Sequence, residues 1–168
     1  MLENFSKYNL NFRKIIEGYS PISISSLNLD QEYYQEFLNS KIYYNNGYYT
    51  TDDKIIDTDL LRSTNFYDDD SRYEYSANKL FVNDFLADNI RDNRLLFIGV
   101  ELILKLKDKL TFTFPNKKFK MVVSYDMINE GGFEDCIITF YKYRESDGDI
   151  LLEDLNLYTN SAIAVIET

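Results

Sequence analysis

A chain of 168 residues with 28 acidic and 18 basic side chains, a net charge of −10 and no histidine lacks the means for most catalytic and nucleic-acid-binding work. Histidine's ordinary pKa lies nearest neutrality, so its absence removes the common triads and zinc sites, and the anionic balance repels phosphate backbones. The length suits one domain over 1–168, an apolar content of 45% excludes general disorder, and the absence of a membrane-length or signal-like apolar run predicts a cytoplasmic protein.

In chain order, Phe5, Tyr8, Phe12, Ile15 and Ile16 share a helical face, which predicts a helix from about Asn4 to Glu17, with Gly18 and Pro21 as its stop. Asp30 is placed to cap a second helix running to about Ser40, with Tyr33, Tyr34, Phe37 and Leu38 on its apolar side. Ile42-Tyr43-Tyr44 and Tyr48-Tyr49-Thr50 flank Asn45-Asn46-Gly47, a hairpin signal because Asn and Gly tolerate positive φ. Residues 51–75 show no sustained period and read as a long irregular connection. Ser76 is then the expected cap of a helix bearing Ala77, Leu80, Phe81, Phe85 and Leu86.

The strongest period runs through Leu95, Leu96, Ile98, Leu102, Ile103, Leu106 and Leu110, a helix packed into the core. Lys105, Lys107 and Lys109 fall in its last turns, where cations complement the helix dipole, and Gly99 permits close packing. After Phe114-Pro115-Asn116 the period becomes alternating, with strands over Phe119–Tyr125, about Cys136–Arg144 and Ala162–Ile166. Cys136, the single cysteine, lies in an apolar run and reads as a buried, inert thiol. The expected class is α+β, with N-terminal helices and a long core helix packed on a C-terminal antiparallel sheet.

No catalytic constellation emerges. Asp52-Asp53-Lys54 matches an acid-x-Lys nuclease spacing once, in a polar loop, and neither Asp68–Tyr73 nor Asp147-Gly148-Asp149 meets a calcium-loop pattern. No metal or other cofactor is expected, and the chain is not expected to be an enzyme. Charge is uneven: Arg94–Lys120 holds seven bases against two acids, whereas the acids concentrate on either side of it. Acid beside tyrosine suits the capture of a partner's arginine and lysine side chains. The expected partner surface joins Asp68, Asp69, Asp70, Tyr73 and Tyr75 to Asp126, Glu130, Glu134 and Asp135. Glu145, Asp147 and Asp149 are left out, because they lie at the far end of the second strand.

The long apolar helix, the turn Phe114-Pro115-Asn116-Lys117-Lys118-Phe119, the strand ending Ser124-Tyr125-Asp126, the strand Cys136-Ile137-Ile138-Thr139-Phe140 and the apolar terminal segment extend from about Leu95 to Thr168. This stretch resembles the immunity proteins that protect bacteria against contact-dependent growth inhibition and related polymorphic toxins. The resemblance implies a small cytoplasmic antidote without a catalytic motif. Such an antidote binds one cognate toxin domain, frequently a nuclease and therefore basic, and blocks it without contacting nucleic acid or membrane itself. Strand addition by the partner would be open if the terminal strand lay at a sheet edge. The alternative from a different class is an acidic nucleic-acid mimic that inhibits a DNA-binding enzyme, against which the basic segment Arg94–Lys120 argues.

Overall fold

The computed structural model describes residues 1–18, 30–51, 69–86, 93–126, 135–147 and 154–168. Among them are strands β1 (Lys7–Tyr8), β2 (Tyr43–Asn45), β3 (Tyr48–Thr50), β4 (Leu80–Phe81), β5 (Phe119–Asp126), β6 (Asp135–Lys142) and β7 (Ser161–Glu167). The helices are α1 (Leu10–Gly18), α2 (Gln31–Asn39), α3 (Asp70–Ala77) and α4 (Arg94–Thr113). The main sheet is antiparallel in the order β1-β7-β5-β6-β4, and β2 and β3 form a separate hairpin. The chain is α+β, as its periodicity predicts.

Alternation gives the sheet two different faces. Phe119, Met121, Val123 and Tyr125 of β5 lie level with Phe140, Ile138 and Cys136 of β6 and with Ile166, Ala164 and Ala162 of β7. All of these are almost fully buried in the main core with Leu95, Leu96, Ile98, Leu102, Ile103, Leu106 and Leu110 of α4. The expected helix-on-sheet layer is therefore present. Val122, Tyr141, Ile163 and Val165 point the other way and form a smaller cluster with Leu155, beneath Tyr75 of α3.

Gly99 sits where α4 approaches the sheet. A Cβ placed there would lie 2.7 Å from Cys136 Sγ, 3.1 Å from Val123 Cγ2 and 3.4 Å from Val82 Cγ2. Alanine would gain helix propensity, but overpacking outweighs that gain, so Gly99→Ala should cost about 2 kcal/mol net in urea melts. Pairing it with Cys136→Ala, which removes the obstructing sulfur, should restore most of the loss; an additive double mutant would place the clash elsewhere. Burial pushes the Cys136 thiol far above its ordinary range, in keeping with an inert role.

The N-terminal helix begins later than its periodicity predicts. Residues 2–4 form a single 3-10 turn, Lys7–Tyr8 pair with Val165 and Ala164 of β7, and only from Leu10 is the chain α-helical. The reason is Asn9, which accepts from Phe12 N at 3.0 Å as a helix cap and holds the preceding residues extended. Consequently β7 is not an edge strand, and strand addition to it is closed along Lys7–Tyr8. Both sheet edges are two-residue strands, a geometry that gives a partner strand little to pair with.

Local signals hold elsewhere. Asp30 caps α2 through Glu32 N and Tyr33 N, and Asn46 and Gly47 take φ of 52° and 96° in the β2–β3 turn. Lys109 behaves differently from the expectation. Because α4 continues to Thr113, this lysine is not in the last turn. Its Nζ instead donates to Phe37 O at 2.8 Å and Ser40 O at 2.9 Å, closing the C-terminus of α2. The expected helix after Ser76 is also corrected: the helix is α3, capped by Asp69 accepting from Arg72 N, and Ser76 lies inside it. Leu80–Phe81 is the edge strand β4, followed by a 3-10 turn over Val82–Phe85.

Candidate functional site

A dense buried polar network centres on Glu74, whose side chain is fully buried on α3. Its carboxylate accepts from Arg144 Nη2 at 2.7 Å and Nη1 at 3.1 Å, from Lys142 N at 2.6 Å and from Tyr49 N at 2.9 Å. One turn on, Asn78 donates to Phe140 O and Tyr49 O and accepts from Thr51 N. Glu74 of α3 and Asn78 just after it thus bridge β6 to β3, which are not paired with one another. Full burial pushes the Glu74 carboxyl above its ordinary value, more than Arg144 and the two backbone N–H groups pull it down. With every oxygen engaged inward, this ion pair joins the hairpin to the sheet rather than facing a ligand.

The expected partner surface separates into two. Asp69 is the cap of α3, and Asp70 accepts from Tyr48 OH at 2.7 Å and lies 4.0 Å from Arg144 Nε. Tyr73 packs edge-on against Tyr48, with centroids 5.1 Å apart. Asp147, set aside in the sequence, joins this group by accepting from Ser71 N and Ser71 Oγ, which places a third carboxylate at the start of α3. Burial raises the Asp147 carboxyl, but its hydrogen bonds from Ser71 and Ser146 and the charge of Arg144 outweigh that and hold it below its ordinary value.

Asp126 and Asp135 are opposite one another at the other end of the β5–β6 pair, about 23 Å along the strand from Lys142. Asp69 and Asp70 thus lie toward the opposite end of the strand pair from Asp126 and Asp135. The helix axis carries the N-terminus of α3 toward Arg144, and the acids there balance arginine locally. Asp68, Glu130, Glu134, Asp149 and the Asp52-Asp53-Lys54 match lie outside the described residues. Among the described residues, no group of three or more His, Cys, Asp or Glu side chains is placed to hold a metal ion, and no helix is long and apolar enough to cross a membrane.

Tyr75 crosses back toward Asp126. Being at the C-terminal half of α3, it leans over the second face of the sheet, with its ring 6.2 Å from that of Tyr141. Together with Val122, Ser124, Asp126, Tyr158 and Ile163 it bounds a groove of about 240 Å³. Val122 and Ile163 make an apolar floor, Asp126 closes one end, and Ser161 Oγ donates to the Asp126 carboxylate. Burial pushes the Tyr75 phenol up, and Tyr158 and Asp126 add to the effect. Sequence reasoning found Tyr75 and Asp126 but missed Tyr158, which follows a 3-10 turn with no periodic signal. A second hollow of about 260 Å³ lies at Lys118, Lys120 and Tyr143. Lys120 there is buried, 3.9 Å from Glu167 and over the Tyr143 ring, so its charge is spent within the fold.

The sequence profile of the Uncharacterized protein PM0498 family matches residues 7–168. The chain belongs to this family. Its relative in Pasteurella multocida (strain Pm70), named Uncharacterized protein PM0498, is 27% identical over 105 residues, covering 62% of this chain and 62% of that protein. The alignment thus spans less than two thirds of the relative's length. No solved structure matches the chain. For the PM0498 family the match takes in β1, the groove and the Glu74 clasp alike, since all of them fall within residues 7–168.

Proposed function

We propose that this chain is an immunity-type antidote of the cytoplasm, which binds one basic toxin domain of nuclease type and silences it by covering its active or substrate-binding surface. It does so without catalysis. The observation supporting this reading is the surface at the Asp126 end of the main sheet. Asp126, opposite Asp135 in the strand pair, lines one groove with Tyr75 and the exposed Tyr158, which the exposed Leu157 precedes in the chain. Interfaces form where aromatic and aliphatic anchors sit beside charge, and a basic partner supplies the complementary sign. The reactive groups of the interior, Glu74, Arg144 and Cys136, are engaged by the fold or sealed within it.

If a toxin domain is encoded beside this chain, its co-expression with the chain should yield a one-to-one complex and living cells. Association should slow about tenfold as salt rises from about 0.05 to about 0.5 M, because the Debye length shrinks from about 14 to about 4 Å. Elution of the chain alone, with the toxin still lethal, would refute the proposal.

A further inference from the structure

We infer that the groove between Tyr75 and Tyr158 is a receptor for a single arginine side chain presented by the partner. The inference rests on the antidote reading for its partner, but its chemistry stands on the groove itself. Asp126 lies at one end of the groove, where its carboxylate accepts from Ser161 Oγ. A carboxylate has further acceptor sites, which suit a cationic donor brought to this end.

The shape selects which cation. From Val122 to Asp126 the groove follows four residues of β5, about 13 Å, enough for an extended side chain with its head at the carboxylate. The floor of Val122 and Ile163 is apolar and suits a methylene stem, while Ser124 and Ser161 lie on the same face toward the acid end. Tyrosine rings at the groove's rim offer π faces, and a planar guanidinium stacks on such faces while pairing with a carboxylate, which a compact ammonium does less well. A cation does meet one of these rings within the molecule, since Lys79 Nζ lies 5.5 Å from the Tyr75 ring centroid. The groove volume of about 240 Å³ accommodates one such side chain and leaves no room for a folded element of the partner.

The test uses arginine amide as the probe on the intact protein, followed by amide-resolved NMR, with citrulline amide as the neutral isostere. Arginine amide should produce saturable shifts centred on Val122, Ser124 and Ile163, and citrulline amide should not. Asp126→Asn, which keeps the acceptor for Ser161, should weaken the response about fivefold, and Tyr158→Ala, at a surface position, about threefold. Equal response to both probes, shifts spread over all the acidic surface, or a response unchanged in both variants would overturn the assignment. The two proposals fail separately. A toxin complex whose affinity ignores Asp126→Asn and Tyr158→Ala removes the receptor and leaves the antidote, whereas a groove that binds arginine amide in a chain that captures no toxin removes the antidote alone.

Discussion

Glu74→Ala should lower the unfolding free energy by about 3–5 kcal/mol, the range for stripping one partner from a buried ion pair. The size follows from what is left behind. Arg144, whose side chain is only 11% exposed, would lose its buried bidentate partner and keep the more distant Asp70, 4.0 Å from its Nε, and the N–H groups of Lys142 and Tyr49 would lose their acceptor. Urea melts followed by tyrosine fluorescence measure the loss. Replacing both partners, as in Glu74→Leu with Arg144→Met, should cost clearly less than the sum of the single changes, because neither charge is then stranded. Additive losses would show that the pair is not coupled and that the clasp is not electrostatic.

The same carboxyl gives a pH signature. Its folded pKa lies above its ordinary value because burial outweighs Arg144, so between the two values the folded state binds the proton more tightly than the unfolded chain does. This contribution to stability is fully present below the unfolded pKa and is lost as pH rises through the folded one. Glu74→Gln removes the titration. The margin of the wild type over Glu74→Gln should therefore widen on going from about pH 7 to about pH 5, and a narrowing margin would mean that Arg144 dominates and holds the carboxyl low.

Elements specified by neighbours in the chain were legible; those specified across it were not. Asp30 before Gln31, Asn46 before Gly47 and the leucine and isoleucine stripe of α4 each carry their own instruction within a few residues. The helix α3 carries none, because it buries Ser71 and Glu74 instead of an apolar stripe. The partners that make this burial tolerable, Lys142 and Arg144, come 68 and 70 residues later. For the same reason the sequence does not place the two acidic groups relative to one another. Asp69 and Asp70 adjoin Asp126 neither in sequence nor in space, and the direction in which α3 crosses β6 decides that. Tyr75 and Asp126 were recognisable by type, but their convergence with Tyr158 needs the whole second face of the sheet.

Asn9 supplies the second large effect, and Asn9→Ala should cost about 3 kcal/mol, since each buried polar group left without a partner costs about 1–3 kcal/mol. The amide is buried and works in both directions. Its Oδ1 accepts from Phe12 N at 3.0 Å and Ile163 N at 3.1 Å, and its Nδ2 donates to Ser161 O at 2.7 Å and Tyr158 O at 3.3 Å. It therefore starts α1, continues the pairing of β1 along β7, and ties down the segment that carries Tyr158. Asn9→Ser separates these roles: serine caps a helix about as well as asparagine but cannot span to β7, so it should recover only the cap's share, about 1 kcal/mol of the loss. Asn9→Asp should be worse than serine at neutral pH, because a carboxylate in place of the Nδ2 donor faces the carbonyls of Ser161 and Tyr158. Its deficit should shrink in acid as that carboxyl takes up a proton. Chemical denaturation of the three variants decides the matter: if Asn9→Ser is as stable as the wild type, the side chain is a helix cap and nothing more, and the edge of β7 is closed by β1 alone.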